Sequence, residues 1–266
     1  MGRLSDRVVL ITGSTGIAAA AAVRARSEGA SIFIVSRTAE HARALAEQVE
    51  GAWIAANLED EAAVDIAVTA CLERFGRIDG LFSVAGGSGR RFGDGPIHTV
   101  TGDAWDATEA LNLRTQILVC SRVVRAMLDQ EPNTSGTRGS ILLLGSVTTT
   151  APVPELFATH AYAAAKGALT ALMTSMAATY ITDGIRVNLV APSLTATPMA
   201  RRAATDPHIL EYARRKQPLA GEMMDPDEVA HAAIYFLSDE SRVVTGQALA
   251  VDGGWSLVST TAEPAP

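Results

Sequence analysis

Seven short runs rich in β-branched and apolar residues alternate with longer alanine-rich stretches, and nothing else in this 266-residue chain restricts its fold so strongly. The runs are Arg7 to Thr12, Ser31 to Ser36, Ala52 to Ala56, Asp79 to Val84, Ser140 to Gly145, Ile185 to Val190 and Gln247 to Val251. A strand followed by a segment long enough for a crossover helix, repeated along a chain, builds a parallel sheet covered on both faces. The expected fold class is therefore α/β, a doubly wound seven-stranded parallel sheet with helices on both faces. Nearly half the residues are apolar and no proline-rich linker interrupts them, so residues 1–258 read as one domain. Three regions read as irregular: Gly86 to Gly102, Glu131 to Gly139 and Ser193 to Asp225. The first and third follow strand ends, where such folds bind ligands, whereas the second reads as a solvent loop. Residues 259–266 read as a disordered tail.

A formal charge of −7 and a pI near 5.3 argue against nucleic acid or an anionic membrane as a partner. The two cysteines, Cys71 and Cys120, form no CxxC pair, and the five histidines are scattered without carboxylate companions. Free thiols, a reducing cytoplasm and no catalytic metal are expected. From Met1 the chain runs almost directly into a strand, without a basic and then apolar leader, and no apolar run is long enough to span a membrane.

Two motifs carry chemistry. In Tyr162-Ala163-Ala164-Ala165-Lys166 the i,i+4 spacing stacks a phenol and an ammonium on one helix face. Free tyrosine titrates near pH 10, so a neighbouring positive charge is what lets it trade a proton near neutrality. Upstream, the first strand empties into Thr12-Gly13-Ser14-Thr15-Gly16-Ile17-Ala18 at the head of an alanine-rich helix. Glycines there let backbone approach a phosphate at a helix N-terminus, which favours a dinucleotide pyrophosphate over a plain tight turn.

Thr12-Gly13 with Gly16-Ile17, then Asn112, Ser146, Tyr162 and Lys166, and finally Val251-Asp252-Gly253-Gly254-Trp255, resemble the short-chain dehydrogenase/reductase family in its one-domain form, over about residues 4 to 257. The resemblance implies a three-layer Rossmann fold, a nicotinamide cofactor, and a homotetramer or dimer. It also implies that Tyr162 exchanges a proton with a carbonyl or alcohol oxygen that Ser146 holds. Lys166 would bind the nicotinamide ribose and lower the tyrosine pKa, and Asn112 would anchor a water relay. Cofactor contacts are expected at Gly13, Ser14, Thr15, Gly16 and Ile17, at Ser36 and Arg37, at Asn57 and Leu58, at Ala85 and Gly86, and at Pro192, Thr195 and Thr197, besides Tyr162 and Lys166. Thr197 resembles the residue that meets the carboxamide, and it could also cap the next helix. Asp252 and Trp255 are read as packing and subunit-contact residues.

The chain departs from the family pattern in several places. Only Ser14 and Thr15 separate Gly13 from Gly16, one residue fewer than usual, and Ala18 replaces the third glycine. The phosphate cradle is where these changes fall. Ser83-Val84-Ala85-Gly86 stands in place of Asn-Asn-Ala-Gly, Asn57 in place of an aspartate, and Pro192-Ser193 in place of Pro-Gly. Ser146 precedes Tyr162 by sixteen positions instead of thirteen, an inserted loop. At the second strand's end, Ser36-Arg37 offers a hydroxyl and a guanidinium where an acid would select NAD, so NADP(H) is favoured and NAD(H) is the alternative.

Substrate selection is expected to fall to Gly87–Thr101, Thr148–His160 and Ala200–Gly221. Within them Arg90 and Arg91 could meet an acidic substrate or cofactor phosphates, Val153, Leu156 and Phe157 could line an apolar pocket, and His160 could reach its mouth. The function expected is hydride transfer between NAD(P)(H) and a secondary alcohol or ketone. The competing reading is a regulatory or non-redox protein with weak or no nucleotide binding, motivated by the short glycine loop. Halohydrin-lyase relatives normally have arginine in place of the lysine, so Lys166 argues against that chemistry.

Overall fold

In the computed structural model, residues 2–259 are described, so all of the expected tail except Ser259 lies outside the described residues. Seven strands form one parallel sheet in the order β3-β2-β1-β4-β5-β6-β7. They are β1 (Val8–Thr12), β2 (Ser31–Ser36), β3 (Ala52–Ala55), β4 (Gly80–Ser83), β5 (Gly139–Leu144), β6 (Ile185–Pro192) and β7 (Ala248–Val251). The chain winds outward from β1 to β3, returns to place β4 on the other side of β1, and then winds the opposite way. That reversal opens a crevice at the carboxyl ends of β1 and β4.

Strand pleating sorts the core into two layers. Val8 and Leu10 of β1 join the buried cluster beneath α3 (Glu61–Phe75), while Val9 and Ile11 join the cluster beneath α1 (Ile17–Ser27) and α2 (Ala39–Gln48). Near-continuous Val, Ile and Leu in the central strands follow from burial on both faces. The alanines of α1 have a packing use, because Ala18, Ala21, Ala22 and Ala25 are all buried and their small side chains let neighbouring backbone come close. Local signals set the helix ends. Asp60 accepts the Ala63 N–H at the start of α3, and Gly76 closes that helix in the left-handed region.

After β4 come two single 3-10 turns, Gly89–Phe92 and Ile97–Thr99, and then α4 (Gly102–Glu109). Thr101 caps α4, a five-residue π turn (Ala110–Arg114) follows it, and α5 (Thr115–Asp129) continues the rod. Beyond β5 lie the short α6 (Pro154–Phe157) and the long α7 (His160–Tyr180). Helices α5 and α7 pack on the α3 side of the sheet.

The stretch expected to be irregular from Ser193 to Asp225 is largely helical, holding α8 (Arg201–Ala204) and α9 (Pro207–Lys216). Asp206-Pro207 is a cap followed by a proline at the first helical position, and the Asp206 carboxylate accepts the N–H groups of His208 and Ile209. α10 (Pro226–Leu237) repeats the device with Asp225-Pro226 and packs on the α1 side. β6 runs two residues past its expected end because Ala191 and Pro192 still pair with β7. The turn expected to face solvent, Glu131 to Gly139, is mostly exposed.

Candidate active site

Tyr162 and Lys166 stand one turn apart near the start of α7, with the lysine Nζ 5.8 Å from the centroid of the tyrosine ring. Lys166 is almost wholly buried, at 2% exposure. Its Nζ donates to the Leu144 carbonyl at 2.7 Å, and Gln116 of α5, with its amide oriented to satisfy its neighbours, accepts a second bond at 3.3 Å while donating to the Ser83 carbonyl at 3.0 Å. An ammonium has three donors, so one N–H remains for the cavity. Burial pulls the Lys166 ammonium down to about 7 and pushes the Tyr162 phenol up to about 12, the latter opposed by a hydrogen bond with Ser146.

Ser146 follows β5 and caps the 3-10 turn Val147–Thr149. Its Oγ accepts the Thr148 N–H at 3.2 Å and the Thr148 hydroxyl at 2.9 Å. A hydroxyl has two acceptor lone pairs and one hydrogen, so Thr148 fills the acceptor side and leaves Ser146 to donate toward Tyr162 or a substrate oxygen. That direction agrees with the downward pull of Ser146 on the tyrosine.

Asn112 lies in the π turn and is fully buried. Its side chain closes a two-way bridge to Gly87, accepting that N–H and donating to that carbonyl, each at 3.0 Å, and also donates to the Thr108 carbonyl at 2.9 Å. A side chain on Gly86 would place its Cβ 2.8 Å from Asn112 Oδ1, so the backbone passes this point only as glycine.

At the other end of the crevice, Gly13 and Gly16 both have positive φ, 96° and 56°, which turns the chain sharply into α1 despite the missing residue. The Ala20 N–H bonds back to the Gly16 carbonyl at 3.0 Å, so the N–H groups of Ile17, Ala18 and Ala19 precede the first intrahelical bond. Thr12 Oγ1 accepts the N–H groups of Val84 and Ala85 at 2.9 and 3.0 Å, locking the ends of β1 and β4 together. Ser14 and Ser36 share a 2.8 Å hydrogen bond. One cavity of about 670 Å³ runs from Thr15, Ile17 and Arg37 past Asn112, Ser146, Tyr162 and Lys166 to Phe157 and Trp255. Its bare backbone at Gly86, helix N-terminus and free Lys166 donor fit a dinucleotide.

A family model described as enoyl-(acyl carrier protein) reductase matches residues 11–256. An "inactive 2-(S)-hydroxypropyl-CoM dehydrogenase 2" of Xanthobacter autotrophicus is 35% identical, over 90% of this chain and 100% of that protein. Short-chain dehydrogenase reductase 5 of Arabidopsis thaliana is 34% identical, over 97% of this chain and 98% of its own. A 3-ketoacyl-(acyl-carrier-protein) reductase from Brucella melitensis, solved in complex with NADH, superposes with a TM-score of 0.84 at 26% identity, covering 96% of this chain and 100% of that one. The chain belongs to the short-chain dehydrogenase/reductase family.

Against that family's pattern, part of the expected set shares one cavity, and Gly13, Ser14, Gly16, Ser36 and Ala85 are not among the residues that line it. In this dehydrogenase/reductase Thr15, Ile17, Arg37, Gly86, Pro192, Thr195 and Thr197 line the same cavity as the four catalytic candidates. Others stand apart from it. Asn57 is exposed and its side chain accepts the Glu59 N–H in a local turn, and Leu58 is buried in the hydrophobic core, so neither side chain faces the cavity. Thr197 makes no side-chain cap to the turn after it; its methyl instead lies against Gly16, where a Cβ would come within 2.8 Å. His160 is exposed and does not line the cavity, and of the three apolar candidates only Phe157 does. Val153 is buried with Trp255 beneath it. Trp255, read as a packing residue, packs on Phe157 and Tyr212 and also forms the cavity floor.

Three contributors to the short-chain dehydrogenase/reductase site escaped the sequence reading. Gln116 lies four residues after Asn112, and that spacing was the available signal. Thr148 follows Ser146 by two. Asp94 had no local signal, because it acts on a helix far along the chain.

Proposed function

We propose that this protein is an NADP(H)-dependent oxidoreductase for secondary alcohols or ketones in which Tyr162 is the proton donor and acceptor. The observation that carries it is the joined set of Ser146, Tyr162 and Lys166, with the serine hydrogen directed outward and the lysine held by two carbonyl-type acceptors. When bound, the nicotinamide supplies or accepts the hydride. Ser146 donates to the substrate oxygen and orients it toward the Tyr162 hydroxyl. During reduction Tyr162 gives its proton to that oxygen, and during oxidation it takes one. The Lys166 ammonium stabilises the tyrosinate across the short gap and offers its remaining N–H to the ribose. Asn112 keeps the Gly86-Gly87 backbone open beside the site.

Preference for the 2′-phosphate rests on Arg37 just after β2, in a cavity that no carboxylate lines among the described residues. We read the protein as a cytoplasmic homo-oligomer, a dimer or tetramer. In support, β7 is an exposed edge strand, and Val243, Leu249 and Leu257 nearby are 85%, 42% and 89% exposed. The filled catalytic set argues against the non-redox reading.

Fluorescence titration with NADPH and NADH, followed by a carbonyl panel read at the nicotinamide absorbance, tests the proposal. Saturable NADPH binding and Tyr162-dependent turnover are expected. Absence of binding by either nucleotide overturns it.

A further inference from the structure

The cavity wall carries charge of one sign. Arg37, Arg90, Arg91 and Arg202 line it with Lys166, and among the described residues no aspartate or glutamate does, in a chain whose net charge is −7. Several arginines elsewhere are paired, Arg3 with Glu28, Arg7 with Asp239, Arg24 with Asp227, and Arg122 with Glu61 and Asp65, while Arg114, Arg138 and Arg186 meet backbone carbonyls instead. None of the four cavity arginines has an ion pair among the described residues. Asp94, the acid nearest Arg90 in sequence, has both carboxylate oxygens engaged by backbone N–H groups of α7.

These arginines fall into two places. Arg37 follows β2, at the cofactor end. Arg202 lies in α8, beyond β6, a strand on the opposite side of β1 from β2. Arg90 follows β4 but reaches toward Arg202. Arg90 Nη2 donates to the Leu156 carbonyl at 3.1 Å, and Arg202 Nη2 donates to the same oxygen at 3.2 Å. That carbonyl precedes Phe157, whose ring packs on Trp255 in the cavity floor. Arg91 is held differently, stacked over Phe92 at 4.5 Å.

A single neutral oxygen thus gathers two guanidinium groups. Two like charges on one oxygen repel, and in keeping with this Arg90 is pulled below its ordinary value, by desolvation first and by the Arg202 charge second, with Asp94 opposing both. Each fork keeps further N–H donors beyond the one on Leu156, and planar donor pairs suit carboxylate and phosphate oxygens. An oxyanion between them removes the repulsion and satisfies those donors together.

We propose that Arg90 and Arg202 form a clamp for an oxyanion on the substrate, so that the preferred alcohol or ketone carries a carboxylate or phosphate-type group away from the reacting carbon. The clamp rests on the oxidoreductase reading above and specifies the substrate class for the same site. It is distinct from the cofactor phosphate contact at Arg37.

Calorimetry tests it without turnover. 4-Oxopentanoate, its methyl ester and 3-oxobutylphosphonate are titrated into the protein preincubated with NADP⁺. The two anions should bind more tightly than the ester. Arg90→Gln and Arg202→Gln should each weaken the anions roughly tenfold and leave the ester unchanged. Arg201→Gln, an exposed neighbour outside the cavity, should change nothing. Whichever anion binds more tightly names the head group. Equal affinities for anion and ester, no saturation by either anion, or a preference that survives both substitutions overturns the clamp. A parallel NADPH assay separates the two readings. Anion-selective binding with no reduction of any compound counts against the oxidoreductase and supports the clamp; reduction without charge preference counts against the clamp alone.

Discussion

Asp94 holds the first turn of the helix that carries Tyr162: its two carboxylate oxygens accept the backbone N–H groups of Ala161 and Tyr162, each at 3.0 Å. A helix is ordinarily capped by the residue just before it, but Thr159 makes no such bond here. Asp94 is buried, at 4% exposure, and its own N–H is tied to the Gly89 carbonyl at 3.1 Å. These bonds tie the loop after β4 to the helix that carries Tyr162.

Removing that carboxylate should loosen the tyrosine. Asp94→Ala is expected to cost about 1–2 kcal/mol of stability, in the range of a lost cap. It should lower kcat about tenfold with a smaller change in KM, since the phenol is displaced and not deleted. Asp94→Asn, which keeps one acceptor, should fall between. Urea unfolding and steady-state kinetics on the three proteins check the order.

Gln116 supports Lys166 from α5. Gln116→Leu leaves the Ser83 carbonyl and one lysine N–H without their partner, which is expected to cost about 1–3 kcal/mol. If Lys166 meets the ribose, the same change should weaken nucleotide binding severalfold while Ser146 is untouched. Gln116→Glu should keep the acceptor and hold the lysine more firmly charged. Fluorescence titration with NADPH reads both variants.

Lys166 should leave a mark on stability that depends on pH. Its folded value of about 7 lies below the ordinary 10.5, so between these values the unfolded chain holds a proton that the folded chain has released. Stability contributed through this group therefore rises with pH across that window. Lys166→Met removes the cost of burying the charge, so its gain over the parent should be largest below pH 7 and vanish above about pH 10.5. Urea midpoints at pH 6, 8 and 10 measure the narrowing gap. A constant gap would show that the ammonium is not penalised by its surroundings.

Tyr162, raised to about 12 by burial, keeps its proton throughout the neutral range in the free enzyme. Ketone reduction should then be flat across pH 6 to 8 as far as Tyr162 is concerned. Alcohol oxidation, which needs the tyrosinate, should climb with pH. Tyr162→Phe should abolish both while NADPH still binds, as stopped-flow and equilibrium titration would show.

Arg37 is the test of cofactor choice. Arg37→Ala should weaken NADPH about tenfold, the worth of a charge-assisted contact, and leave NADH within a factor of two. Parallel titrations of the two nucleotides decide it.

Sequence patterning made the sheet readable because each strand is buried on both faces and each is followed by a long helical stretch. Tyr162 with Lys166 was readable for the same local reason, since helical spacing alone puts them together. Asp94 was not, because its partners lie 67 and 68 residues away and nothing near it marks a cap for α7. The third irregular region was misjudged although Asp206-Pro207 announced a helix, since its many short polar segments hid the periodicity. The glycine loop is the opposite case. Its missing residue is plain in the sequence, yet Thr197 drawn against Gly16 could come only from the fold.

The π turn at Ala110–Arg114 has an evolutionary side. A turn that holds an extra residue behaves like a tolerated insertion: the helix before and after it keeps its apolar stripe, while the backbone between them is free to aim polar groups inward. Asn112 occupies that freedom, and Gln116 follows one turn on, in α5. Deleting one residue from this turn would restore a regular helix with α5 still in phase, and the shift within the turn itself would take Asn112 out of its bridge to Gly87. The site thus depends on register as much as on residue identity, and a shortened gene copy could lose its geometry with every candidate side chain still encoded.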